Sequence, residues 1–318
     1  MKKIIKLFVD DQNSNKRLDI FISSKITDIS RTRIKNLILD GSIKVNDKIN
    51  FEPSKKINLK DKIAIEIPPP KKTDIKPYDY DLEILFEDDD IIIINKPAGL
   101  VVHPGAGNTE NTLVNALINY CKGSLSTIGG ELRPGIVHRL DKNTSGLMVV
   151  SRNERSYLHL VEQLKQRTVM RKYYALVRGE PASGGIVEKP IGRHPKFRTK
   201  QAVVKTGREA ITRYKTIKRI NGYSLLEVSL KTGRTHQIRV HLSYLDFPII
   251  GDSVYGGRKK YAKGTSDQLR LVIDNFKRQA LHAKSLTLEH PSTNELMSFI
   301  SDLPKDMTLL MNALKKNE

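Results

Sequence analysis

Three polar-rich segments lie inside otherwise apolar sequence: NKPAGLVVHPG from Asn95, RPGIVHRLDKNTSGLMVV from Arg133 and LKTGRTHQIRVHLS from Leu230. The middle one places His138, Arg139, Asp141, Lys142 and Asn143 between the apolar stretches 136–137 and 147–150. A polar cluster flanked by buried strands is costly unless its groups satisfy one another or form a site. An aspartate in such a cleft, beside an arginine, is a candidate acid, base or nucleophile. The competing reading has Asp141 capping a turn with Asn143 and Thr144, and spacing alone leaves both open.

Other chemistries find no support. There is no GxxxxGK[ST] run, and the Gly105–Gly107 GAG lacks the third glycine of a dinucleotide fingerprint. The eight histidines form no helical HExxH, and His236 and His241 stand five apart, the wrong step for one helical face. A single cysteine, Cys121, can form neither an internal disulfide nor a thiolate zinc cage. Metal and nucleotide-cofactor chemistry are therefore not expected. The charge balance is more informative: 55 Lys and Arg against 35 Asp and Glu give a formal +20, which points to a polyanion, most often nucleic acid. No apolar run reaches membrane-spanning length. The basic opening MKKIIKLFVDD is interrupted by Lys6 and followed by acids with no small-residue cleavage site, so it does not read as a signal peptide. A soluble, cytoplasmic protein is expected.

Elements must position these residues. The run PPPKKTDIKP, residues 68–77, fixes an extended segment and reads as a linker. The expected division is a small domain over 1–70, a linker over 71–80 and a large domain over 81–318. The first 70 residues carry a formal +6 and the remainder +14, so a polyanionic partner is expected to touch both. In the small domain, Ser30 is a candidate helix N-cap, Ile34, Leu37 and Ile38 form a helical stripe, and Gly41 suits the stop. Arg31 and Lys35, four apart, share a face, with Arg33 elsewhere on the helix. Ile43 and Val45 alternate before an Asn46-Asp47 turn. In the large domain, 91–94 reads as a buried strand, while 112–120 and 154–166 read as helices, the second behind a possible Asn153 cap. Leu226, Val228 and Leu230 alternate with polar residues as in a half-buried strand, and 256–267 reads as a polar surface excursion. The class is α+β with a large mixed sheet.

Two resemblances emerge from these residues. RLD at 17–19, SRTRIKNLI at 30–38 and GSIKVN at 41–46 resemble the S4-type RNA-binding domain. The three polar segments, above all HRLDKNTSGLMVV, resemble the signature motifs of the large-subunit ribosomal RNA pseudouridine synthases, over essentially the whole chain. PIGRHPKFR at 190–198 and GDSVYGGR at 251–258 are most similar to the type D branch. That resemblance implies a mostly antiparallel sheet flanked by helices, and cofactor-free isomerisation of uridine to pseudouridine in 23S ribosomal RNA or a precursor large subunit. It also implies a monomer. Asp141 is implied as the catalytic aspartate, Arg239 as the arginine that pairs with it, and Tyr173, rather than Tyr174, as the tyrosine that packs on the target base. Arg139 is implied to fill the space vacated by the flipped base, with His138, Lys96, Arg193, His194 and Arg258 as candidate RNA contacts beside Arg31 and Lys35. Two other outcomes stay open: a synthase for other ribosomal or transfer RNA uridines, and a catalytically silent RNA-binding assembly factor.

Overall fold

A computed structural model describes residues 3–26, 29, 31–67, 75–105, 107–122, 125–126, 130, 133–197, 199–257 and 261–316. The Ser30 cap, Arg258 and residues 68–74 at the proline seam lie outside the described residues.

The small domain runs β1 (Lys3–Phe8), α1 (Leu18–Lys25), α2 (Arg31–Leu39), β2 (Ile43–Val45), β3 (Lys48–Ile49) and β4 (Lys62–Ile67). Its four strands form one sheet in the order β1-β4-β2-β3. The stripe of Ile34, Leu37 and Ile38 turns inward onto Leu18, Phe21, Ile22, Ile43, Ile63 and Ile65, a core made only of residues from this domain. Asp19 is buried at 2% exposure, with Arg17 and Arg31 both donating to its carboxylate. Burial works to raise Asp19, but the bonds from Arg17 and Arg31 prevail and hold it below the ordinary carboxylate value.

The large domain continues with β5 (Ile84–Glu87), β6 (Ile91–Lys96), α3 (Leu113–Tyr120), β7 (Ser145–Ser151), α4 (Glu154–Gln166), β8 (Met170–Arg178), β9 (Gly184–Glu188), β10 (Ile191–Arg193) and β11 (Gln201–Val203). It ends with β12 (Ile211–Ile220), β13 (Tyr223–Leu230), α5 (Gln237–Tyr244), α6 (Asp267–Asn275), β14 (Leu281–Glu289), β15 (Leu296–Ile300) and α7 (Lys305–Lys315). Nine strands form the main sheet, in the order β5-β6-β7-β14-β8-β13-β12-β9, with β15 on β14. Only the β14–β7 pair is parallel, so the sheet is mixed and mostly antiparallel.

The apolar run of β6 is buried on both faces. Ile91 and Ile93 pack with Leu147, Val149 and Leu160 of α4, whereas Ile92 and Ile94 pack with Met148, Val150 and Leu117 of α3. Asn153 caps α4 as its sequence position indicates, accepting from the Ser156 N–H at 2.9 Å. β13 alternates as expected from Leu226 to Ser229, while Tyr223 to Leu225 before it are all buried, because that half of the strand is covered on both faces. The chain from Ile75 belongs to the large domain: Ile75 and Tyr80 pack on its core, and Tyr78 N–H donates to the Asn115 carbonyl. Between the domains, Arg33 on α2 is ion-paired with Glu154 at the start of α4.

Candidate active site

Two strands and one helix bring the predicted residues together. Asp141 sits on the turn entering β7, its carbonyl accepting from the Thr144 N–H at 3.0 Å. The turn is therefore held by the backbone, and the carboxylate is free to point elsewhere. It meets Arg239, whose Nη1 donates to Asp141 Oδ2 at 2.9 Å. Arg239 projects from α5 and is only 6% exposed. Its Nε and Nη2 donate to the two oxygens of Asp252 at 2.7 and 2.9 Å, a planar bidentate pair. Asp252 in turn accepts from the Val254 and Tyr255 N–H groups.

The electrostatics follow from burial opposed by pairing. Burial disfavours charge on Arg239, yet its bonds to Asp252 and Asp141 keep it firmly a guanidinium. Burial would likewise raise Asp252, but Arg239 and the two backbone N–H groups drive it below the usual carboxylate value. The Tyr255 ring lies under the Arg239 guanidinium, 5.0 Å from ring centroid to Cζ. His236, which opens α5 in the left-handed conformation, places Nδ1 2.9 Å from the Tyr255 hydroxyl and Nε2 3.9 Å from Asp141 Oδ1. Burial lowers His236 despite the pull of Asp141.

Asp141 opens onto a cavity of about 580 Å³ lined by Tyr173, Arg139, His138, Arg171 and Thr232, among others. That volume suits a nucleotide-sized ligand. Tyr173 lines it and Tyr174 does not; adjacent residues of β8 point to opposite faces, and Tyr174 faces Lys284 instead. Burial raises the Tyr173 hydroxyl above its ordinary value, so it remains a phenol at neutral pH.

Several expected RNA contacts take other roles. Lys96 is 1% exposed, and its ammonium donates to the carbonyls of Pro97, Leu100 and Lys142. It anchors the turn that carries Asp141 and cannot reach a phosphate. Burial pushes Lys96 down to about 7, against the attraction of Asp141, while three carbonyl acceptors favour three N–H donors and hence the charged form. His138 accepts from the Val149 N–H through Nε2 and buries Nδ1, leaving no nitrogen for RNA; burial lowers it to about 3. Arg31 remains half-exposed, but its Nε and Nη2 are committed to Asp19, while Lys35 on the same helix is exposed. Arg139 is exposed at the cavity, its Nη1 donating to His103 Nε2 at 3.1 Å. Arg193 is exposed on β10, and the His194 ring accepts from the Lys196 and Phe197 N–H groups; neither residue lines the cavity.

Asp252, Tyr255, His236 and His103 were not singled out by sequence reasoning as parts of the site. His103 and His236 lie in polar segments that the sequence flags, and Asp252 and Tyr255 in the 251–258 stretch, but which side chain turns inward depends on the backbone path. Among the described residues no three His, Cys, Asp or Glu side chains converge as a metal set, and no helix is long and apolar enough to cross a membrane.

Comparison with known proteins places this geometry. Residues 90–244 match the family described as RNA pseudouridylate synthase. Over 301 residues the chain is 45% identical to "Ribosomal large subunit pseudouridine synthase D" of Buchnera aphidicola subsp. Baizongia pistaciae, covering 95% of this chain and 94% of that one. It is 42% identical over 307 residues to the protein of the same name from Escherichia coli (strain K12), covering 96% and 93%. Among solved structures, Human RNA Pseudouridylate Synthase Domain Containing 4 aligns with a TM-score of 0.56 at 28% identity, over 73% of this chain and 93% of that one.

Proposed function

The chain belongs to the RNA pseudouridylate synthase family, and from that premise we propose that it isomerises uridines of large-subunit ribosomal RNA, with Asp141 acting on the ribose of a flipped-out uridine. The relatives' shared name supports the ribosomal substrate. The net +20 charge supports an RNA partner. In the reaction the bond from uracil N1 to ribose C1′ breaks and a bond from C5 to C1′ forms. The proton on C5 is lost and N1 gains one, so the product is an isomer and nothing is oxidised or reduced.

A single observation carries the reading: the Asp141 carboxylate is bonded on one side to a buried guanidinium and borders a nucleotide-sized cavity on the other. Arg239 keeps that carboxylate aimed; Asp252 keeps Arg239 in place. The Tyr173 ring packs against the base, and its phenol is suited to donating a hydrogen bond rather than removing a proton. Flipping costs a few kcal/mol of lost stacking, which contacts in the cavity and the exposed Arg139 at its rim offset. The small domain, residues 1–70, grips RNA outside the cavity through exposed cations such as Lys35. The protein works in the cytoplasm as a monomer.

Asp141→Asn tests the assignment, because it preserves shape and removes the charge. Purified variant should bind a ribosomal stem-loop with unchanged affinity and form no pseudouridine. Appreciable conversion by that variant would overturn the role of Asp141.

A further inference from the structure

Arg171 is a cation for which the fold supplies no anion. It lies on β8 two residues before Tyr173, on the same face, and lines the same cavity. Its Nε is buried with no hydrogen-bond partner, and among the described residues the guanidinium makes no ion pair. Asp141 is the sole acid among the described residues lining the cavity, and it is already bonded to Arg239. Its neighbour Arg167, by contrast, has Glu209 at 2.8 Å. A partly buried guanidinium with unused donors is unfavourable until an anion arrives. Space is also kept for it: a Cβ on Gly233 would stand 3.2 Å from Arg171 Nη1.

We infer that Arg171 is a binding residue for the phosphodiester attached to the target uridine. The inference rests on the reading of the cavity as a uridine site. Residues i and i+2 of a strand are separated by roughly 6.6 Å along its axis, a span that a nucleotide covers from base to phosphate. With the base against Tyr173, the attached phosphate falls on Arg171, whose planar fork matches two phosphate oxygens. Arg139 sits at the rim and is engaged with His103, so it does not duplicate this contact.

The test is a cycle in which the charge is removed from either side. Stem-loop RNA is prepared with neutral methylphosphonate in place of the phosphodiester 5′ or 3′ of the target uridine. Binding to the full chain and to Arg171→Met is measured across salt concentrations. Arg171→Met should weaken binding about tenfold and flatten the log–log salt slope by about 0.7 to 0.9, the loss of one phosphate contact. Neutralising one of the two linkages should weaken the unaltered protein comparably and have no further effect on Arg171→Met. Arg171→Lys should keep the salt slope. If Arg171→Met does not fold, Gly233→Ala, which crowds the guanidinium and leaves its charge, should lower affinity for native RNA more than for neutralised RNA. Additive losses overturn the inference, as does an unaltered protein indifferent to both neutral linkages. A normal affinity with a displaced alkaline limb of the rate profile also overturns it, since Arg171 would then act on the Tyr173 hydroxyl. Pseudouridine formation by the unaltered protein is recorded in the same samples; its absence alongside an intact charge cycle indicts the proposed reaction and not Arg171.

Discussion

Arg239 serves two carboxylates unequally, giving Asp252 a two-bond grip and Asp141 a single bond. Replacing it with Met keeps much of the side-chain packing and removes the charge. Asp141 then loses the hydrogen bond that aims its carboxylate. Single-turnover rate should fall on the order of a hundredfold or more. Weakened RNA binding with normal turnover at saturation would make Arg239 a phosphate contact instead. Asp252→Asn leaves Arg239 charged but loosens its placement. Misplacement of a reacting group by about an ångström can cost on the order of a hundredfold, so single-turnover rate should fall by that order at unchanged RNA affinity. Asp141, Tyr173 and Arg239 were singled out by the family resemblance, and the structure bonds Arg239 to Asp141 and sets Asp141 and Tyr173 on one cavity. Asp252, thirteen residues beyond Arg239, was not singled out, since its role exists only once the 251–257 turn folds back onto α5. Lys96 and His138 misled for a related reason: a cation in a polar segment reads as exposed, and only the packing of the 96–100 turn beneath the 141–144 turn shows otherwise.

Local elements were legible where periodicity and capping agreed. β6, α3 and α4 fall on the expected residues, with Asn153 capping α4. The uneven burial of β13 was not legible, because alternation reports one covered face and the second cover comes from distant sequence. Gly146 is an element whose constraint is conformational. It has φ of +113°, and a Cβ there would lie 2.3 Å from the Ala283 carbonyl oxygen, where β7 and β14 pair in parallel. Gly146→Ala should therefore destabilise the large domain by about 3 kcal/mol or more, combining backbone strain with overpacking, as read from denaturant midpoints. Asp19 sets a different limit in the small domain. Its value is lower folded than unfolded, so its contribution is complete above the unfolded value of about 3.9 and disappears as pH falls through the folded one. Its arginine partners are half-exposed, so screening limits that contribution to about 1 kcal/mol. Thermal unfolding of the isolated small domain should lose stability below pH 4, and Asp19→Asn should remove most of that acid dependence.

At the scale of the molecule, two basic units have separate cores, and the proposed function has both meet the same RNA. Deleting residues 1–70 should leave a folded large domain, raise the RNA dissociation constant and flatten its salt dependence, because fewer counterions are released. Unchanged affinity and slope would assign the small domain another task. The seam was visible as a proline run and the charge of each part by counting, whereas the Arg33–Glu154 pair across it was not, since neither sequence window refers to the other. The strand order carries a consequence of timing. β14, residues 281–289, lies between β7, which follows Asp141, and β8, which carries Tyr173. As the chain emerges from the ribosome, the aspartate and the tyrosine are made more than a hundred residues before the strand that separates them. They cannot adopt their final spacing until that late strand slides between them, joining one neighbour in parallel and the other antiparallel. The nascent chain therefore carries its small basic domain well before it can assemble the site, and, if that domain grips RNA as proposed, a chain stopped at residue 280 should be able to bind RNA and unable to modify it.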